Sequence, residues 1–335
     1  MPKLFLSALV AALLWAAPAS AFWHRPLPFW ARGEKFDCPR YPVVLVPGFF
    51  GFKQMGVGPL NVGHYFRGVE ERLRQRGVVC GTAYVGLING IDDRARNLKR
   101  EIDRLFPTGK VNLIAHSTGG LDAREMICRL GMADRVASLT TIATPHQGTP
   151  VADWVQFAVG PGKPLDRFFK SLGINDEAFH DLTTSWCRGF NARTPDDPRI
   201  RYFSLGGHQR WLFVTPLLMP FSWLMRLHDR VAAGRDVSAT AHALLAHESW
   251  GRDVLAYLAA VRAQVATQGV AQDAVQHEDQ FAGKNDGLVP LWSTPHGESF
   301  ELIPMDHWDQ IGWLTIQNHR ALYERIVQQL AHQGL

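Results

Sequence analysis

The chain has 335 residues, 46% of them aliphatic or aromatic, and a formal net charge of +4. That apolar content is ample for one or two buried cores, and the slight, scattered positive excess does not point to a nucleic-acid partner. No repeat, low-complexity tract or long charge run breaks the sequence.

Lys3 gives a short positive start, residues 4–17 an apolar core, and Ala19-Ser-Ala21 a small-residue cleavage site. Together they read as a signal peptide over 1–21, cut near Ala21. The apolar stretch of 14 residues is too short for a comfortable membrane span. The mature protein is therefore expected to be secreted or periplasmic, in an oxidising compartment. Its four cysteines, Cys38, Cys80, Cys128 and Cys187, suggest up to two disulfides. Three pairings are open. Cys38 precedes the strand-like run 43–46 and Cys80 begins another at 80–87, so adjacent parallel strands there favour Cys38–Cys80 and leave Cys128–Cys187.

Residues 41–51, Tyr-Pro-Val-Val-Leu-Val-Pro-Gly-Phe-Phe-Gly, form a buried-strand run ending in a Gly/Pro loop. Residues 93–106 place Leu98, Ile102, Leu105 and Phe106 on one helical face. Residues 111–124, Val-Asn-Leu-Ile-Ala-His-Ser-Thr-Gly-Gly-Leu-Asp-Ala-Arg, are the most informative stretch. A β-type run stops at a tight turn around Ser117, and a helix-compatible run follows at 121–130, the strand–turn–helix context of a nucleophile elbow. Ala115 and Gly119, two residues either side of Ser117, leave room for that turn; alanine stands where glycine is usual. The Thr118 N–H, at a helix N-terminus, would face an oxyanion formed on attack. The loop after 41–46 would supply the second donor; proline has no N–H, so Phe49 is the candidate. The other reading of Ser117 is a capping serine in an ordinary strand-to-helix turn.

Strand-like runs follow at 136–143 and 200–205. Between them lies an apolar-rich insertion with Trp154, Phe157, Phe168, Phe169 and Leu172. Residues 211–225 are uncharged and carry Pro216 and Pro220, bounded by Arg210 and Arg226. They are either plain core or a flap, including Trp211, Phe213, Phe221 and Trp223, that meets a lipid surface. A helix-forming stretch at 238–266 comes next. Residues 284–290 then offer Asp286 in an Asn-Asp-Gly turn. After a further strand-like run at 299–303, residues 304–309 offer His307. Asp286 would accept from Nδ1 of His307 and leave Nε2 facing Ser117. Asp306 is a poor rival acid, since adjacent side chains on an extended segment point to opposite sides. His116 is expected to shape the pocket rather than act as base.

These motifs resemble the secreted bacterial triacylglycerol lipases of the Pseudomonas and Burkholderia type. The residues that carry the likeness are 41–52, 111–120, 141–153 (Thr-Ile-Ala-Thr-Pro-His-Gln-Gly-Thr-Pro-Val-Ala-Asp), 285–289 and 307–309. The resemblance implies an α/β-hydrolase fold, a mostly parallel doubly wound sheet in a single domain over 22–335. Helical lid or cap insertions are implied at about 150–185 and 207–283. Ser117, Asp286 and His307 match the family's catalytic serine, aspartate and histidine, and Phe49 and Thr118 its oxyanion donors. The implied activity is ester hydrolysis at a lipid–water interface with no catalytic cofactor. A structural calcium is implied beside the histidine loop, with Asp309 as one carboxylate ligand and carbonyls near Trp313 and Gln317. The second carboxylate falls where the likeness ends, and Asp273 is the residue available. One aspartate is not a calcium site, and Asp309 would equally cap a helix. A dedicated folding chaperone, needed by some of these lipases, is a further implied partner.

Two other functions use the same features. A polyhydroxyalkanoate depolymerase or short-chain esterase would need the same serine, acid and histidine. A hydrolase-fold binding protein without catalysis would not, since fold alone does not fix function.

Overall fold

The computed structural model describes residues 36–49, 55–57, 60–86, 90–158, 177–210, 213–235, 237, 249–268, 281–315 and 317–335. The readings placed above on residues 1–21, Phe168, Phe169, Leu172, Trp211 and Asp273 lie outside the described residues. The chain divides into two units, Met1–Asp37 and Cys38–Leu335. Of the first, only Phe36 and Asp37 are described; the second contains the elements below.

Strand β1 (Val43–Val46) is followed in sequence by an antiparallel pair, β2 (Met55–Val57) and β3 (Leu60–Gly63). Helix α1 (Val69–Gln75) leads to β4 (Cys80–Thr82), α2 (Ile91–Leu105) to β5 (Val111–His116), and α3 (Gly119–Arg129) to β6 (Val136–Ile142). Helices α4 (Pro150–Ala158), α5 (Glu177–His180) and α6 (Thr184–Arg193) precede β7 (Arg201–Gly207). A 3-10 turn at Pro216–Leu218 opens α7 (Met219–Ala232), after which come α8 (Ser249–Gln268), β8 (Ser299–Ile303) and α9 (His319–His332).

Six strands form one parallel sheet in the order β4-β1-β5-β6-β7-β8. The central strands β1, β5 and β6 are buried along their whole length, as strands covered on both faces must be. Helix α2 shows why the periodicity is readable. Its buried stripe is Ile91, Arg94, Ala95, Leu98 and Ile102, and Leu105 and Phe106 pack against the same core at its end. Each fully buried leucine or isoleucine of that stripe contributes roughly 2 kcal/mol. In a parallel sheet the loops at the carboxyl ends of the strands gather on one edge, where ligands bind. Here those ends are Val46, Thr82, His116, Ile142, Gly207 and Ile303.

A second apolar cluster joins α4, α7 and α8 through Trp154, Val155, Leu224, Met225, Val254 and Tyr257. Trp154 is therefore buried within this cluster. The 211–225 segment divides between the two readings given above: Leu218, Leu224 and Met225 are buried, whereas Phe213 is 61% exposed.

Two expectations are corrected. Among the described residues of the 80–87 run, the strand covers Cys80–Thr82, with an isolated bridge at Gly86. Ala83 and Val85 are apolar because they are buried against the core, and Gly86 (φ +92) turns the chain. The expected disulfides are not formed, and all four cysteines are free thiols. β1 and β4 do pair, with Val43 opposite Cys80. Cys38, however, lies beyond the paired ends, with Sγ on the Arg76 carbonyl at 3.6 Å, while the Cys80 Sγ faces the Glu70 carbonyl at 3.6 Å. Cys128 meets the Arg193 carbonyl at 3.9 Å and Cys187 the Pro145 carbonyl at 3.6 Å. Burial pushes the Cys80 thiol up to about 11 and the Cys187 thiol up to about 12.

Candidate active site

β5 ends at His116, and the chain turns through Ser117 at φ 56°, left-handed backbone that a non-glycine residue adopts only when its surroundings hold it. They do hold it: Ser117 N–H donates to the Ile142 carbonyl at 2.8 Å, and Thr144 Oγ1 donates to the Ser117 carbonyl at 2.7 Å. Thr118 occupies the N-cap position of α3, whose first helical residue is Gly119, without a side-chain capping bond.

Ser117 Oγ lies 3.0 Å from His307 Nε2, and His307 Nδ1 donates to Asp286 Oδ2 at 2.8 Å. These three residues are brought together from three loops at the carboxyl edge of the sheet. All are buried: Ser117 is 7%, Asp286 0% and His307 5% exposed, which limits solvent screening between them. The other oxygen of Asp286 accepts from Leu288 N–H (3.0 Å) and Val289 N–H (2.8 Å), so the Asn-Asp-Gly turn satisfies its own acid. The His307 N–H donates to the Asp286 carbonyl at 2.8 Å, tying the two loops together.

A second chain of bonds meets this one. Gln310 Nε2 donates to Asp286 Oδ2 at 3.3 Å. Its Oε1 accepts from His116 Nε2 at 3.1 Å, and His116 Nδ1 accepts from the Tyr65 hydroxyl at 2.8 Å. The amide oxygen of Gln310 fixes the tautomer of His116. Burial, then the neighbouring His307, holds the His116 ring well below the usual histidine range, so it stays neutral. Burial likewise raises the Tyr65 hydroxyl well above its ordinary value.

The loop after β1 is packed directly on the serine. A Cβ on Gly48 would lie 2.6 Å from Ser117 Cβ, so only glycine permits this approach. A Cβ on Gly119 would lie 2.8 Å from both the Val46 and Pro47 carbonyl oxygens, which brings the start of α3 equally close. Phe49 follows, half-buried, its ring 5.3 Å from that of Phe179.

Asp309 is buried beside the histidine loop. Its Oδ2 accepts from Gln317 Nε2 (2.9 Å) and Asp306 N–H (3.1 Å), and burial followed by Asp306 raises its carboxyl above the usual range. Both Asp306 oxygens are already taken, one by Thr215 N–H and Oγ1, the other by Trp308 and Asp309 N–H. No group of three metal-ligating side chains occurs among the described residues. An amide donor pointing at Asp309 and a spent Asp306 do not fit a calcium ion, which needs several free oxygens.

Sequence reasoning missed Tyr65, Arg94, Asp122 and Gln310. Two signals were available. Arg94 interrupts the apolar stripe of α2, a local breach of pattern of the kind functional sites carry. Asp122 sits on the buried face of the helix that follows Ser117.

No protein-family model matches the chain. The Saccharomyces cerevisiae protein named triacylglycerol lipase 2 is 37% identical over 150 residues, 42% of this chain and 45% of that protein. The Pseudomonas fragi triacylglycerol lipase is 28% identical over 191 residues, 51% of this chain and 63% of that one. Matching proteins from Vibrio cholerae and Burkholderia plantarii carry the same name. The chain spans roughly half the length of the curated relatives it matches. Among solved structures, lipase 1 from Pelosinus fermentans superposes with a TM-score of 0.57 at 20% identity, over 88% of this chain and 99% of that one. The likeness to triacylglycerol lipases is thus a likeness of sequence over part of the chain, and the α/β-hydrolase fold extends over most of it.

Proposed function

We propose that this protein is a serine carboxylic-ester hydrolase acting on lipid esters, of the triacylglycerol lipase and esterase kind. The observation that carries the reading is the run of bonds from Ser117 Oγ through His307 to Asp286, at 3.0 and 2.8 Å, on a strained turn between β5 and α3. The partial sequence likeness to proteins named triacylglycerol lipase supports it.

The chemistry follows from that geometry. Ser117 Oγ attacks the ester carbonyl as its proton passes to His307 Nε2. Asp286 holds the Nδ1 proton and stabilises the imidazolium without taking that proton. The Phe49 and Thr118 N–H groups receive the charge that develops on the carbonyl oxygen. His307 then returns its proton to the departing alcohol, leaving Ser117 acylated. A water activated by His307 attacks the acyl-enzyme, and the carboxylic acid and free serine are released. No step calls for a metal or organic cofactor.

Lipid esters are favoured over small dissolved ones by the segment beside the histidine loop. Thr215 is tied to Asp306 through its N–H and hydroxyl, both at 2.7 Å, and its neighbours Phe213 and Leu217 are 61% and 41% exposed. Apolar groups held open at that place suit a lipid–water interface. Export by a signal peptide over 1–21 and a lid over about 150–185 belong to the same proposal. The test is a series from dissolved p-nitrophenyl butyrate through tributyrin to triolein emulsion, with polyhydroxyalkanoate granules alongside. Cleavage of the emulsions, with adsorption weakened in Phe213→Ser, is expected. Hydrolysis of the polymer or the dissolved ester alone would overturn the lipid reading.

A further inference from the structure

Arg94 is 2% exposed, and its partner Asp122 is fully buried, with Nη2 on Oδ2 at 2.7 Å and Nε on both carboxylate oxygens at 3.0 and 3.1 Å. Burying such a pair costs more than it returns unless its remaining donors are used, so a buried ion pair alone is a weak stability device. Here those donors go to the loops around Ser117. Nη2 reaches the Pro47 and Gly48 carbonyls, each at 3.1 Å, and Thr118 Oγ1 at 3.4 Å; Nη1 reaches the Gly86 carbonyl at 3.0 Å. Burial lifts the Asp122 carboxyl to about 6 even with Arg94 beside it, a sign of how much solvation the pair has given up.

We propose that Arg94, held by Asp122, is the positioning residue of the oxyanion site, setting the direction of the Phe49 and Thr118 N–H donors together. The inference rests on the ester-hydrolase reading above. A peptide unit is planar and trans, so its C=O and the next N–H point opposite ways. With the Gly48 carbonyl drawn to the guanidinium, the Phe49 N–H must point away from it, and the Gly48 Cα that carries this peptide lies against Ser117. The same guanidinium nitrogen holds the side chain of Thr118, the other donor, whose N–H meets no acceptor among the described residues. Asp122 closes the loop from within α3, one turn after Thr118: its N–H donates to the Thr118 carbonyl at 3.1 Å. Both donors are thus referred to one rigid planar group. Lysine cannot replace it, because one ammonium cannot present a fork of donors to a carboxylate and two carbonyls at once.

The test compares the full-length protein with Arg94→Lys and with the double change Arg94→Met and Asp122→Leu, which removes the charge together with its partner. Steady-state hydrolysis of p-nitrophenyl butyrate is measured per active site, counted by covalent titration with a fluorophosphonate. The affinity of phenylboronic acid is measured in parallel, since its tetrahedral adduct with serine places an oxygen in the oxyanion site. The expected result for both variants is a fall in kcat of about 10²-fold with KM changed less than about threefold. The boronic acid should bind more weakly by a matching factor, and the double variant should unfold no more easily than the parent. A merely structural pair would lower the number of titrated sites and leave kcat per site within about threefold, and that outcome overturns the proposal. Should the unsubstituted protein take no fluorophosphonate label, the ester-hydrolase reading fails first and this proposal falls with it.

Discussion

Gly48→Ala isolates steric fit between the loop after β1 and the Ser117 turn. Gly48 does not lie in the left-handed region, so alanine is allowed by the backbone. In open space the change would stabilise the protein by about 0.4–1 kcal/mol through the unfolded chain. Here the new Cβ would meet Ser117 Cβ at 2.6 Å, the His116 carbonyl oxygen at 2.8 Å and the Tyr65 hydroxyl at 2.9 Å. Ordinary contact begins near 3.4 Å, so the serine turn and the loop must part by about 0.8 Å. Overpacking of that kind costs about 1–3 kcal/mol. A displacement close to 1 Å at the reacting atoms costs on the order of 10² in rate. The expected result is a kcat for p-nitrophenyl butyrate lowered about a hundredfold, with a small fall in unfolding free energy measured by urea denaturation. A kcat within threefold of the parent in a folded variant would refute the claim that this loop and Ser117 form one fitted unit.

Gln310→Ala should lower kcat by about tenfold or more and broaden the histidine proton resonances, because it removes one of the two side-chain donors on Asp286 Oδ2 and strands the buried Nε2–H of His116; Gln310→Glu should not restore the parent rate, since a second carboxylate would then face Asp286. His146 is buried, stacked on His296 at 4.2 Å and near Arg124, and burial holds its ring well below the usual histidine range. A depressed folded value means that stability is full above about pH 6.5 and is lost as pH falls below it, at about 1.4 kcal/mol per pH unit; the unfolding free energy of His146→Gln should show that much less acid sensitivity, and parallel curves would count against a neutral buried ring. Thiol titration in denaturant without reductant should find four free cysteines, and in the native protein Cys38, the exposed one, should react first; a titre near zero would restore the disulfides.

How much of this was legible depends on whether a residue's neighbours in sequence are also its neighbours in space. The turn at Ser117 is readable because strand, turn and helix are contiguous, and β5 and α3 end within a residue or two of the expected limits. Asp286 and His307 are readable from equally local signals, Asp286 from the Asn-Asp-Gly turn that holds it and His307 from its place after the strand-like run 299–303. The 80–87 run misleads because hydrophobicity reports burial: Ala83 and Val85 are buried without belonging to the ladder. The cysteine pairing misleads because strand adjacency says nothing about where a residue beyond the paired end will turn. Arg94 and Gln310 meet partners 28 and 24 residues away, Asp122 and Asp286; the break that Arg94 makes in the apolar stripe marks it as unusual but does not name its partner, and no local pattern marks Gln310. An apolar residue that packs under a cap and one that faces solvent look the same in sequence, so composition does not separate buried Trp154 from exposed Phe213.

The most direct test of the central claim is covalent labelling of the purified protein with a fluorophosphonate, followed by intact mass and peptide mapping. Ser117 Oγ lies 3.0 Å from His307 Nε2, so it alone should be activated. The account requires one adduct per chain, on Ser117, together with complete loss of ester hydrolysis. Ser117→Ala should take no label and lose at least about a thousandfold in kcat, and His307→Ala should label far more slowly. An adduct on another residue, or hydrolysis that survives in Ser117→Ala, would contradict it.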